Sequence, residues 1–375
     1  MQENILLIFL KQAIFPIDKM KENEQISESM MISRFQTGMV LLPPLIVRSC
    51  TVLGGPKEKA DARLELGLPG GSEVFRFAVE VKARATPQTV QLAMMQAKAA
   101  AQEGEWPMIQ VPFLSPERLE DLERERVSGV DLCGNGVVVV PDRLWVVRSG
   151  APNRYRDSRP LNNPYRGRSA MVARMLLQRP RWESLSELAA AVQAAGAALS
   201  LAQASKAVQA MGEDLILSKS AGGITLREPL RLLDKLGSEW REPRVRARQA
   251  LRLPADMDWA RALSSNPLLK WAMTGESSVT RYAMFAQAGP RQLAVSSLPL
   301  ALTLAGGTPE TVPNFADAEL METEEPGFFF GNETDEKGIR WASRLQAWLE
   351  LQAGDARQQE AATDLRDQIL KEAQR

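Results

Sequence analysis

The chain has 375 residues, enough for two or three domains, and 45 % of them are apolar, enough to fill ordinary cores. It contains no histidine and only two cysteines, Cys50 and Cys133. That excludes Ser-His-Asp and Cys-His catalysis, histidine metal sites and a structural zinc site.

Net formal charge is zero, but the charge is unevenly spread. Arg143 to Arg181 holds ten arginines against one acid, Asp157, whereas Glu310 to Arg375 holds fifteen acids against seven bases. A basic middle and an acidic end predict different partners for each. At the start, Ile5 to Leu10 is a run of six apolar residues, far below the ~20 that cross a bilayer. A basic leader with a small-residue cleavage site is missing as well. The expectation is a cytoplasmic protein with no membrane partner, whose residues 1–40 form an amphipathic helix or mobile arm.

Residues 41–150 read as a compact α/β domain. Leu41 to Leu53 is apolar and β-branched and predicts a buried strand. Ala62 to Leu68 alternates with period two, Pro69 to Ser72 is a turn, and Val74 to Val81 returns as the second arm of a hairpin. Pro87 to Gln102 is helical and Gly104 ends it; Met108 to Phe113 is a strand. Ser115, followed by Pro116, opens a helix, and Gly136 to Val140 is a further strand.

Asp61, Glu80 and Lys82 carry the chemistry of this domain. Glu80 and Lys82 are two apart on a strand and so share a face. Asp61 begins the adjacent arm, so the hairpin can bring two carboxylates and an ammonium together. Two carboxylates, Asp61 and Glu80, suit Mg²⁺, a hard cation that takes oxygen ligands. Such a metal polarises a phosphodiester and activates water, while Lys82 can orient that water or stabilise developing charge. Glu28 on the preceding helix competes with Glu22 and Glu24 as a further acid, and Gln96 on the following helix can face the same site. This segment resembles the PD-(D/E)xK restriction-endonuclease-like fold, in which a hairpin carries Asp and Glu-x-Lys; the resemblance implies a mixed sheet and a metal-dependent nuclease site.

After a Pro/Asn/Arg connector, residues 163–228 predict three helices and a two-stranded wing: a winged helix-turn-helix. Ala170 to Leu177 is the first helix. Ser184 with Glu187 forms a capping box for the second, and Ser200 caps the third, Leu201 to Met211. Leu215 to Leu217 and Ile224 to Leu226 are the wing. In the third helix Leu201, Ala204, Val208 and Met211 recur at core spacing. Ser200, Gln203, Ser205, Lys206 and Gln209 then face outward for the major groove of duplex DNA. Lys219 on the wing, with Arg166, Arg168, Arg174, Arg179 and Arg181 around the first helix, can neutralise phosphates.

Residues 229–375 predict a C-terminal α/β domain. Leu230 to Arg252 reads as one long basic helix, Gln292 to Val295 and Gly327 to Phe330 as strands, and Ile339 to Leu351 as a closing helix. The fold class expected overall is α+β / α/β multidomain.

Several segments, Asp131-Leu132-Cys133-Gly134-Asn135-Gly136, Asn163 to Arg168, Leu226 to Asp234, Trp271 to Ser278 and Tyr282 to Phe285, carry a further resemblance. Together they resemble the AbiEi-like transcriptional-regulator antitoxins of type IV toxin–antitoxin systems, with an extra domain ahead of the winged helix. The resemblance implies promoter autorepression and opposition to a nucleotidyltransferase-type toxin. Three readings follow: a DNA-binding regulator or antitoxin, a Mg²⁺-dependent DNA endonuclease guided by the winged helix, and a protein-interaction scaffold that binds no nucleic acid.

Overall fold

The computed structural model describes residues 26–54, 59–155, 163–254, 258–286, 289–310, 315–352 and 354–374. The predicted arm lies mostly outside them, as do Glu22 and Glu24. The protein is a mixed α/β molecule with sheets of eight, three and seven strands and twelve α-helices among the described residues. No described helix is long and apolar enough to cross a membrane. The chain divides into two compact units, Met1–Pro160 and Leu161–Arg375.

The first unit begins with α1 (Glu28–Ile32), capped by Ser27. The predicted strand from Leu41 is interrupted at Pro43-Pro44 and becomes a tight pair, β1 (Val40–Leu42) and β2 (Leu45–Val52); two prolines cannot donate to a ladder. The hairpin follows as predicted, β3 (Ala62–Gly67) and β4 (Val74–Val81). Helix α2 (Pro87–Ala100) leads to β5 (Glu105–Val111), and α3 (Pro116–Arg124) leads to β6 (Ser128–Asp131). A final hairpin pairs β7 (Gly136–Val140) with β8 (Leu144–Arg148); β6, four residues long, is too short to stand out by alternation alone.

The sheet runs in chain order from β1 to β8. Neighbours are antiparallel except β4–β5 and β5–β6, which are parallel and therefore need the α2 and α3 crossovers. One face buries Leu64, Phe77, Val79, Met108 and Val138 with Met31 of α1. The other buries Ile109, Val111 and Val137 under Val90, Ala93, Leu119 and Leu122 of the two crossover helices. The sheet curls: Arg143 in the β7–β8 turn ion-pairs with Glu73 in the β3–β4 turn at 2.5 Å.

Asp131, at the end of β6, fixes the turn into β7. Its Oδ1 accepts the amide protons of Cys133, Gly134 and Asn135 at 2.7–2.8 Å, and its Oδ2 those of Leu114 and the Asn135 side chain. Burial pushes its pKa up, and the hydrogen bonds from Asn135, Leu114 and Cys133 work against that push. The Asp131–Asn135 stretch is thus a structural staple.

The second unit opens with a 3₁₀ turn, Gly167–Ser169, and α4 (Ala170–Gln178). A two-residue strand, β9 (Arg181–Trp182), precedes α5 (Leu185–Ala194) and α6 (Leu201–Glu213). Ser184 accepts from the Glu187 amide, but the Glu187 carboxylate accepts from Glu183 rather than from the cap itself. At Ser200 the reciprocal capping box is complete, with Gln203 as its partner. Strands β10 (Leu217–Ser220) and β11 (Gly223–Leu226) form a hairpin, and β9 pairs with β11 to make a three-stranded sheet.

Where one long helix was predicted, α7 (Pro229–Glu239) stops and β12 (Val245–Arg252) begins. Pro243 cannot continue a helix, and Val245-Arg246-Ala247-Arg248 alternates as a strand does. The remaining elements are α8 (Trp259–Ser264), β13 (Trp271–Met273), α9 (Gly275–Val279), β14 (Arg291–Val295), α10 (Leu298–Ala305), β15 (Thr308–Pro309) and β16 (Ala318–Thr323). Pro326–Phe329 is a 3₁₀ turn, not the predicted strand, because Pro326 sits at its first position. Then come β17 (Glu333–Thr334), β18 (Arg340–Trp341), α11 (Arg344–Leu351) and α12 (Ala356–Ala373).

The seven-stranded sheet has the order β15-β12-β16-β14-β13-β18-β17 and packs on α8 and α10. A second apolar core joins α4–α7 to Leu345 and Trp348 of α11 and Leu365 and Ile369 of α12.

Candidate functional site

Two groups of side chains stand out, one in each unit. In the first, the ladder sets Ala62 opposite Val79, so Asp61 falls opposite Glu80 as the antiparallel register continues. The backbone bears this out: the Asp61 amide donates to Val79 O at 3.0 Å, and the Val81 amide donates to Asp61 Oδ2 at 2.7 Å. Lys82 Nζ donates to Glu80 Oε1 at 2.5 Å. Asp61, Glu80 and Lys82 therefore come together, as their spacing predicts, near the carboxyl end of β4, where open α/β sheets commonly bind ligands.

Glu80 is only 5 % exposed. Burial pushes its pKa up; the Lys82 hydrogen bond pulls it down, and the charges of Asp61 and Glu28 push it up again. Glu28 is exposed on α1 and reaches Glu80 through its field. No cluster of three acidic or thiol side chains able to hold a metal occurs among the described residues. Asp61 and Glu80 each keep one carboxylate oxygen outside these hydrogen bonds, a donor pair that fits one hard cation completed by water. Gln96 is half-buried on α2, which packs on β4 and β5, and its Oε1 is buried without a partner.

In the second unit α6 buries Ala204, Val208 and Met211 and turns Ser200, Gln203, Lys206 and Gln209 to solvent, with Ser205 half-buried. Leu201, expected in the core, is 49 % exposed at the tip of the helix. Ser200 and Gln203 hold one another in the cap, and Gln209 donates to Glu213 at 3.1 Å. Lys206 is thus the cation presented by this face. Lys219 is exposed on β10.

The predicted arginine cluster splits. Arg174 does not reach the surface: it is 5 % exposed, donating to Gly327 O at 3.2 Å and to Gln346 Oε1 at 2.9 Å. Gly327 makes the room, since a Cβ there would come within 2.7 Å of Arg174 Nη2. Burial pulls the Arg174 pKa down to about 10, against the opposing pull of Glu350 and Glu325. Gln346 also donates to Glu350, whose buried carboxylate accepts from Thr274 at 2.6 Å as well. This chain is an internal strut. Arg166 is tied to Glu239 by an ion pair. Nearby, Tyr165 donates to Asp214 at the far end of α6. Arg168 and Arg181 are exposed; Arg179 pairs with Glu187 at 2.7 Å and lies over the Trp182 ring.

Sequence reasoning missed Arg227, which follows β11 and donates to Ser218 Oγ at 2.9 Å. Period-two alternation from Thr225 was the signal that could have placed it. Comparison with protein-family models, with curated proteins and with solved structures finds no match for this chain.

Proposed function

We propose that this protein binds duplex DNA through residues 163–228, a winged helix-turn-helix in which α6 is the recognition helix and the β10–β11 hairpin is the wing. The observation that carries this reading is the two-sidedness of α6. Its apolar side is buried in a core, while Lys206, Ser200, Gln203 and Gln209 lie on the solvent side, beside a hairpin bearing Lys219. Side chains of this kind contact phosphates and base edges. With Ser200, Gln203 and Gln209 engaged locally, most of the affinity comes from the DNA backbone and depends strongly on salt. The resemblance to type IV antitoxins gives this binding a role: repression of the protein's own promoter and opposition to a nucleotidyltransferase-type toxin.

Reversal of the two presented cations tests the reading. The Lys206→Glu, Lys219→Glu double variant loses gel retention of duplex DNA at low salt while keeping its melting temperature. Retention equal to that of the wild type overturns the proposal.

A second reading is favoured by one observation, the meeting of Asp61, Glu80 and Lys82. We propose it as a PD-(D/E)xK-type nuclease site in which Asp61 and Glu80 hold Mg²⁺ and the winged helix supplies the DNA. The metal would supply charge stabilisation and an acidified water; Lys82 would hold that water in place. Incubation of the full chain with DNA and Mg²⁺ or Mn²⁺ is expected to give cleavage that Lys82→Ala abolishes without weakening duplex binding. If the wild type cuts with neither metal, the fold serves as a scaffold and the second reading falls.

A further inference from the structure

One face of the three-stranded sheet is buried and the other carries arginines. Trp182, Ile224, Leu217 and Leu226 point into the core. Arg181, Thr225 and Ser218 stand in one cross-strand row on the opposite face, since Arg181 pairs with Thr225 and Thr225 with Ser218. Arg227 joins this row through its hydrogen bond to Ser218. Arg179 flanks it, stacked on Trp182 at 4.2 Å. Arg179, Arg181, Thr225 and Arg227 line a groove of about 840 Å³ whose far wall is the end of α12. The acid on that wall, Glu372, is ion-paired with Arg344, so the arginines dominate the field of the groove.

We infer that this face is a phosphate track: Arg181 and Arg227 each take a backbone phosphate of the duplex held by α6 and the hairpin, with the Ser218 and Thr225 hydroxyls beside them. The inference rests on the duplex-binding reading and extends it from the helix tip to the base of the hairpin. The chemistry of the groove favours nucleic acid over a protein partner. Protein interfaces are anchored by aromatic or aliphatic side chains in desolvated pockets. Here the one aromatic ring, Trp182, is buried beneath Arg179, and arginines and hydroxyls remain, the groups that contact phosphate and sugar. Strand β11 runs from the groove to the turn of the hairpin, where Lys219 pairs with Ile224 and projects from the opposite face of the sheet.

The salt dependence of binding to a fixed duplex separates this inference from the reading beneath it. Each phosphate contact contributes about 0.9 to the slope of log K against log salt. Arg181→Ala and Arg227→Ala are each expected to flatten the slope by about that amount, and the double variant by about twice as much. Preference between duplex sequences is expected to stay unchanged. All of these side chains are exposed, and unchanged melting curves confirm that the variants fold. A double variant with the wild-type slope overturns the track while leaving binding by α6 standing. A double variant that keeps its slope but loses capture of poly-glutamate overturns it too, giving the groove to an acidic polypeptide. A wild-type chain that fails to bind duplex at low salt overturns both.

Discussion

Glu80 shows how much of a site can be read at the scale of single residues. Period two along β4 places Glu80 and Lys82 on one face, and the hairpin turn at Pro69 to Ser72 places Asp61 opposite, so the trio was legible from spacing. Arg174 was not. Its burial depends on Gly327 and Gln346, both more than 150 positions away in the sequence, and nothing local to α4 distinguishes it from Arg168 or Arg179.

Glu80 also yields a test with a definite sign. Its folded pKa is raised, chiefly by burial, so the folded state holds this proton more tightly than the unfolded chain. Stability is then lost as pH rises from the ordinary carboxylate value through the folded one, and ionised Glu80 counts against the fold at neutral pH. Glu80→Gln is therefore expected to stabilise the protein at pH 7, within the roughly 0.5–2 kcal/mol common for relaxing a functional site. The gain is expected to vanish below about pH 4, where the unfolded carboxyl is protonated too. Melting curves across pH check this; a difference independent of pH contradicts it.

At the scale of elements, the sequence is clearest where short-range chemistry decides. Ser115, Ser184 and Ser200 were legible as caps because a serine hydroxyl satisfies orphan amides at a helix start. Apolar spacing in α6 found its core side for the same reason, except at Leu201, whose place at the first turn projects it past the core. Composition misled where two elements join without a glycine: Leu230 to Arg252 is rich in Leu and Arg throughout, and only Pro243 and the alternation after it mark the change to β12. Short strands such as β6 and β9 owe their existence to partners distant in sequence, which no local pattern encodes.

The hairpin depends on one glycine. Gly223 has φ +111°, and a Cβ there would come within 2.2 Å of the Trp182 carbonyl oxygen in β9. Gly223→Ala is expected to destabilise the protein by at least about 1–3 kcal/mol from backbone strain, with the overlap adding to it. Gly222→Ala meets only Ser220 Oγ, at 3.7 Å, and is expected to change stability by less than about 0.5 kcal/mol. Urea denaturation compares the two; equal effects contradict the account of the turn.

For the whole molecule, the charge asymmetry read from sequence takes physical form only after folding. Within the second unit, the arginines of residues 166–181 share no single surface: one is entombed in the strut with Gln346, one is bound to Glu239, and others border the outer face of the three-stranded sheet. The acidic end is partly compensated within its own unit, through pairs such as Arg344–Glu372 and Arg246–Glu324. A linear count of charge therefore overstated the cationic surface at the first helix and overlooked the one completed by Arg227. The mixed α/β character was legible because hydrophobic period switches repeatedly between two and 3.6. The pairing order of the seven-stranded sheet was not, since strands far apart in the chain are its neighbours.

The central claim is that the tip of α6 faces a duplex, and Leu201, exposed at that tip, offers the most direct probe. A photo-crosslinking residue placed at Leu201 in the full chain is expected to form a covalent adduct with bound duplex DNA on irradiation. The same residue placed at Leu268, 81 % exposed on the loop after α8, is expected to give none. Adducts formed from Leu268 but not from Leu201 would contradict the account.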